Sequence, residues 1–334
     1  MNQTQALWQP LREGDIIDIV APASACAPER LDGAIRFLSD WGLTPRLPRK
    51  IFGKDVICAN DDANRLAHLK QALFSTDAKA IWCLRGGYGS IRLLPELMKL
   101  KKPKGAPKLF IGLSDITSLN VFLNQEWNWP TIHGPMLDRL GRGETKPAYI
   151  KELRKFVFGE LPEIRFQKLK PMNEAALAKT TLKGHVTGGN IVTLQSTLGT
   201  KCHWETAGKI IFFEEIGERG YRVDRILEHF RQAGCFDRAK AVVFGDFTGG
   251  EESDGTSRIP RILRRFASLV DIPVLSGVQS GHELIQRPVP LGTPSELHLA
   301  QGKCELVCKA GVAQGTGSRA RSLAPRRAVG EAEL

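Results

Sequence analysis

The chain has 334 residues, 42% of them hydrophobic and 25% charged, a balance that fits a folded protein with a sizeable core and excludes a disordered or fibrous one. Against 36 Asp and Glu stand 47 Lys and Arg, a formal charge of +11. The excess concentrates at Lys99 to Lys108, at Arg142 to Lys170 and in the C-terminal tail. No aromatic stripe or nucleic-acid motif accompanies it, and no apolar run reaches membrane-spanning length.

In chain order, Met1 to Asp15 lacks the apolar stretch of a secretory signal, which predicts a cytoplasmic protein. Ile16 to Val20 reads as a short strand ending in the turn Ala21-Pro22-Ala23-Ser24. Pro28 to Trp41 carries Leu31, Ile35 and Leu38 at helical spacing, with Gly42 as its C-terminal cap. Arg65 to Phe74 is a second amphipathic helix. Ala80 to Leu84 and Lys108 to Gly112 are buried strands, and Asp115 to Asn124 reads as a helix. Strands alternating with helices predict a parallel sheet covered by helices.

From Gly141 to Lys183 the chain is charged, less periodic and broken by Pro147, Pro162 and Pro171. It is the expected interdomain connection, interrupted by a helix near Tyr149 to Phe158. Beyond it come a strand at Ile210 to Phe213, a helix at Arg222 to Gln232 and a strand at Ala241 to Phe244. A helix near Pro260 to Leu269 and a hairpin-like end from Glu296 to Val307 complete a mixed α/β pattern. The tail 311–334, rich in Gly, Ala, Ser and Arg, is expected to be disordered.

Seven cysteines are scattered without a CxxC pair, which fits reduced thiols rather than a disulfide framework. Cys304 and Cys308 fall in a strand-like stretch, and Cys202-His203 lacks the companions a zinc site needs, so no metal is expected. Arg85-Gly86-Gly87-Tyr88-Gly89 follows a buried strand and invites a dinucleotide reading. Arg92 stands where the third glycine belongs, and no acidic residue follows at the ribose-binding distance. No cofactor is therefore expected. Free amides in such a loop can instead face a developing negative charge.

Leu109-Phe110-Ile111-Gly112-Leu113-Ser114-Asp115 runs an apolar strand into a serine at a helix start. Ser114 is either an N-cap or a nucleophile exposed at the carboxyl edge of a sheet. The second glycine of an α/β-hydrolase elbow is absent, because Ile116 holds its place. A serine nucleophile needs a base. Among 7 histidines, His133 and His282 stand in glycine-flanked loops after apolar segments, and the residues alone do not choose between them. Ile210-Ile211-Phe212-Phe213-Glu214-Glu215 is a buried strand ending in carboxylates that could orient that base.

Together these segments resemble the LD-carboxypeptidase family, which includes muropeptide carboxypeptidases and microcin C self-immunity peptidases. The resemblance runs from Gly14-Asp15-Ile16 to about residue 308. It takes in Arg85-Gly86-Gly87-Tyr88-Gly89-Ser90, Ile111-Gly112-Leu113-Ser114-Asp115, His133-Gly134-Pro135-Met136, Gly188-Gly189-Asn190, Phe213-Glu214-Glu215, Gly281-His282 and Pro290-Leu291-Gly292, in that order.

It implies an N-terminal Rossmann-like parallel-sheet domain (1–140) carrying the nucleophile and a connection at 141–183. A smaller mixed α/β domain (184–310) would carry Glu and His, with closure of the two domains completing the site. The implied triad is Ser114, His282 and Glu214, with Glu215 in a position that is commonly aspartate and His133 left as a wall or structural residue. Backbone amides of Gly86, Gly87 and Asp115 are the expected oxyanion hole, and Arg85 could hold a substrate carboxylate. The implied reaction releases D-alanine from murein tetrapeptides, small anionic peptides that suit a basic surface. Related members cleave aminoacyl-nucleotide conjugates, and the family commonly forms homodimers. A nucleotide- or nucleic-acid-binding protein without catalysis is the contrasting reading.

Overall fold

The computed structural model describes residues 8–300 and 302–310; the tail at 311–334 lies outside them. Its first region is laid down as β1 (Ile16–Val20), α1 (Pro28–Asp40), β2 (Thr44–Arg46), α2 (Asp62–Phe74), β3 (Ala78–Cys83), α3 (Leu94–Leu97), β4 (Leu109–Ile111), α4 (Thr117–Glu126) and β5 (Thr131–His133). The strands pair in parallel in the order β2-β1-β3-β4-β5. Leu109, Phe110 and Ile111 are all fully buried, as a central parallel strand covered by helices on both faces requires. Helix α2 starts earlier than its apolar spacing suggested, because Asp61 caps it by accepting from the Asn64 amide at 2.7 Å.

The second region begins with α5 (Leu137–Leu140) and α6 (Pro147–Val157). There follow β6 (Glu163–Pro171), β7 (Thr180–Asn190), α7 (Ile191–Gln195), β8 (Ile210–Ile216), α8 (Gly220–Gln232), β9 (Ala241–Thr248), α9 (Ile259–Ala267) and β10 (Val274–Ser276). The last elements are β11 (Val289–Leu291), β12 (Pro294–Leu299) and β13 (Cys304–Lys309). Seven of these strands close a barrel in the order β10-β6-β13-β12-β7-β8-β9. The pairs β7-β8, β8-β9 and β9-β10 are parallel, and the other barrel pairs are antiparallel. β12 and β13 form the expected terminal hairpin.

The stretch read as a connection is built into the structure. α6 occupies its first part, and β6 is a barrel strand paired with both β13 and β10. Ile164, Phe166 and Leu169 of β6 are buried while Arg165, Gln167, Lys168 and Lys170 are exposed. The charges that suggested a linker are thus the solvent face of a strand. A register irregularity opposite Cys304–Leu306, with Lys168 at φ 57°, breaks its alternation and hides it from pattern reading.

β11 does not join the barrel. It pairs antiparallel to β5, with Val289 opposite His133 and Leu291 opposite Thr131, and so becomes the sixth strand of the first sheet.

Candidate active site

The carboxyl ends of the parallel strands in the two sheets meet, and the chemistry-bearing residues lie there. Ser114 follows β4, Gly86 and Gly87 follow β3, and His133 ends β5. From the barrel come Asn190 at the end of β7, Glu214 near the end of β8, Asp246 on β9 and His282 in the loop after β10.

Ser114 is not an N-cap. Leu113 holds that position, and Ser114 is the first residue of a short 3-10 turn at φ 63°. A left-handed conformation at a non-glycine residue costs about 1–2 kcal/mol, and here it turns the side chain out of the strand direction at the sheet edge. Gly86 packs directly on it: a Cβ at that position would stand 2.9 Å from Ser114 Cβ and 3.2 Å from Ser114 Oγ. The next residue is anchored from the side. Asp115 is buried, its carboxylate accepts from the Ser90 amide at 2.8 Å, and its carbonyl accepts from the Ser90 hydroxyl at 2.5 Å. Burial pushes the Asp115 carboxyl above the usual range, and the Ser90 hydrogen bonds oppose the shift. The amides of Gly86, Gly87 and Asp115 have no backbone acceptor among the described residues.

His282 Nδ1 lies 2.7 Å from Glu214 Oε2. The Glu214 side chain is fully buried and that of His282 is 10% exposed. Burial alone would depress the imidazole. The Glu214 charge and its hydrogen bond outweigh that cost, so His282 titrates above its usual value. With Nδ1 engaged, Nε2 is the nitrogen left to face a nucleophile. Ser114 Oγ makes no hydrogen bond with it in this structure.

Glu215 faces elsewhere. Its Oε1 accepts from Asn190 Nδ2 at 2.9 Å and from the Ile216 amide at 2.8 Å, and its Oε2 accepts from the Val192 amide at 3.1 Å. Burial and the adjacent Glu214 charge still push it up to about 7. Asn190 in turn caps α7 through the Thr193 amide. The pair therefore assembles the barrel's own edge.

Two groups had no motif to flag them. Arg139 stands on α5, and its Nη1 donates to the His282 carbonyl at 2.9 Å. Nothing in its local sequence distinguishes it from a surface arginine. Asp246 donates its amide to the Ser280 carbonyl at 3.0 Å, while its Oδ2 is buried without a partner. Burial, Glu283 and Glu214 push its carboxyl up to about 7. A carboxylate after the apolar run Ala241 to Phe244 repeats the signal that marked Glu214. Arg85 donates to the Ala25 carbonyl at 3.0 Å in the turn after β1. All seven cysteines are free and buried, and no group of three metal-ligating side chains occurs among the described residues. No described helix is long and apolar enough to cross a membrane.

Comparison with known proteins bears on this geometry. Residues 17–134 match the LD-carboxypeptidase N-terminal domain and residues 183–297 the LD-carboxypeptidase C-terminal domain. A provisionally named carboxypeptidase of Rickettsia conorii is 38% identical over 84% of this chain and 87% of its own. The murein tetrapeptide carboxypeptidase of Pseudomonas aeruginosa is 29% identical over 87% of this chain and 94% of its own. Among solved structures, muramoyltetrapeptide carboxypeptidase from Oxalobacter formigenes superposes with a TM-score of 0.78 at 27% identity, over 89% of this chain and 100% of that one. MccF in complex with glutamyl sulfamoyl guanosine shares the fold, with a TM-score of 0.76 at 20% identity over 92% of this chain and 100% of that one.

Proposed function

The chain belongs to the LD-carboxypeptidase family of serine peptidases, and from that premise we propose that it removes the terminal D-alanine from murein tetrapeptides in the cytoplasm. The observation that carries the mechanism is the 2.7 Å contact between His282 Nδ1 and the buried Glu214 carboxylate, taken with a serine held at φ 63°. In this reading Ser114 Oγ attacks the carbonyl of the L,D-peptide bond while His282 Nε2 takes its proton. Glu214 fixes the tautomer and stabilises the imidazolium. The oxyanion forms against the amides of Gly86, Gly87 and Asp115, donors of a kind that lower the barrier by about 3 kcal/mol each. His282 then protonates the departing D-alanine amine, and a water repeats the sequence on the acyl-enzyme. The formal charge of +11 suits a substrate carrying several carboxylates.

Release of free D-alanine from L-Ala-γ-D-Glu-meso-diaminopimelyl-D-Ala tests the proposal, with wild type set beside Ser114→Ala and His282→Ala. Wild type should release it and both folded variants should not. If folded wild type releases none, the murein assignment fails, and an aminoacyl sulfamoyl nucleotide is the next substrate to try. Hydrolysis that survives in Ser114→Ala would overturn the mechanism.

A further inference from the structure

Of the arginines among the described residues, Arg65 alone is buried, and its side chain is fully enclosed. A guanidinium keeps its charge, so enclosing one is costly unless its donors find acceptors. Here all three nitrogens are engaged. Nε donates to the Asn60 carbonyl at 3.0 Å, Nη1 to the Gly89 carbonyl at 2.9 Å and to the Pro22 carbonyl, and Nη2 to Asp62 Oδ1 at 2.5 Å.

Those carbonyls belong to three separate segments that follow strands of the first sheet. Pro22 lies in the turn after β1, Asn60 at the end of the long loop between β2 and α2, and Gly89 in the glycine loop after β3. That last loop has little stiffness of its own: Gly86, Gly87 and Gly89 fall within it, and Gly87 and Gly89 stand at φ 97° and 125°. Its shape is imposed by contacts. The Ser24 amide donates to the Gly86 carbonyl at 3.0 Å, and Ser24 Oγ accepts from the Tyr88 amide at 3.1 Å. At the far end the Asp115 carboxylate accepts from the Ser90 amide at 2.8 Å. Within a trans peptide the N–H points opposite to the C=O, so the Gly87 amide faces away from Ser24. Gly86 meanwhile packs on Ser114. Arg65 fills the space beside Gly89, where a Cβ would stand 2.9 Å from Nη1. Burial raises the Asp115 carboxyl, and the Arg65 charge is among the groups that oppose that shift.

We propose that Arg65 is a positioning residue for the oxyanion loop, its buried guanidinium joining the Gly89 carbonyl to those of Pro22 and Asn60 so that the Gly86 and Gly87 amides keep their aim. The assignment rests on the reading of those amides as donors to the oxyanion and adds the residue that fixes them. Arg65 acts through backbone: its hydrogen bonds go to three carbonyls and to Asp62, and none to Ser114, His282 or Glu214. Asp62 supplies the counter-charge and is itself held by Arg92, whose Nη2 donates to its Oδ2 at 2.7 Å. A lysine would keep the charge and lose the planar fork that reaches three segments at once.

Arg65→Lys and Arg65→Met are compared with wild type in three measurements. Amide hydrogen exchange is followed by NMR in the free protein at Tyr88 and Ser90, with the amides of β4 as reference. Phosphonylation of Ser114 by a fluorophosphonate reports the oxyanion donors, because its phosphoryl oxygen takes the oxyanion's place. Release of D-alanine from the murein tetrapeptide separates kcat from KM. Exchange at Tyr88 and Ser90 should rise about tenfold or more in both variants while β4 exchanges as in wild type. Phosphonylation rate and kcat should fall roughly tenfold to a hundredfold with KM little changed. If the loop amides exchange as in wild type, or if exchange rises by one factor throughout the chain, the inference is wrong. Unchanged phosphonylation in a variant with a loosened loop would overturn it too. Should Arg65→Met fail to fold, Arg65→Lys decides by the same readings. Wild type that is labelled but releases no D-alanine would sink the murein assignment alone. Wild type left unlabelled would sink Ser114 as nucleophile, and the exchange data would still decide whether Arg65 holds the loop.

Discussion

Glu214 and Glu215 are neighbours on β8 and serve opposite faces of it. Glu214 meets the His282 imidazole at 2.7 Å, whereas Glu215 gathers Asn190 and the amides of Val192 and Ile216. Glu214→Gln should therefore lower kcat on the order of 10³-fold or more, because the imidazole loses the group that fixes its tautomer. Glu215→Gln should cost about 1–3 kcal/mol of stability, since an amide oxygen cannot serve every donor gathered there. Equal kcat losses in equally folded variants would remove the distinction.

The raised His282 pKa sets an acid limb. In the proposed mechanism His282 must be neutral to act as base, so kcat/KM should fall as pH drops through a midpoint above the usual imidazole value. The same proton contributes stability that is complete below the unfolded-state pKa of about 6.5 and is lost as pH rises through the higher folded value. A pH–rate profile of wild type checks the first statement. The second requires that the slope of stability against pH near neutrality be smaller in Glu214→Gln.

Asp246 carries a strain of its own. Its carboxyl is raised to about 7, so the folded protein retains a proton that the unfolded chain releases near pH 4. Stability from this site is present at low pH and is lost as pH climbs toward 7. Asp246→Asn should raise Tm by a few degrees at pH 8 and change it little at pH 4. A lower Tm at pH 8 would mean that the carboxylate is needed there.

Much of the fold was legible. β1, β3, β4 and α1 announce themselves by uninterrupted apolar runs or helical spacing. The strands β2, β5, β10 and β11 were not, because each has only three residues and shows no period. Strand β6 was masked by its irregularity at Lys168. At the site, the strand-to-helix turn made Ser114 visible as a candidate. The choice between His133 and His282 was invisible, because both stand in similar loops and only the barrel order, which brings the loop after β10 round to the end of β8, sets His282 against Glu214 Oε2.

Arg139 ties the segment around His282 to α5, the helix that follows the first sheet. Its Nη1 donates to the His282 carbonyl at 2.9 Å. Arg139→Met should lower kcat about tenfold through the loosened loop. It also removes a positive charge that lowers the His282 pKa, so the acid limb should move upward. An unchanged pH–rate profile would contradict that role.

The left-handed backbone at Ser114 predicts a trade of stability against chemistry. Ser114→Gly and Ser114→Ala should both be inactive. Glycine accepts φ 63° freely, so its variant should be the more stable of the two by about 1 kcal/mol in denaturant titration. The reverse order would show that this conformation carries no strain.

The exchange of β11 into the first sheet limits how the halves can move. The chain leaves β5's edge at Leu291, and the Gly292 amide then bonds the Val186 carbonyl of the barrel at 2.9 Å. A wide clamshell swing would have to bend the chain at Gly292, between its pairing with the first sheet and its bond to the barrel. The same stitch makes the protein indivisible. A fragment cut after the first region would present an open β5 edge to any passing strand, and the remainder would carry a strand with no sheet to join.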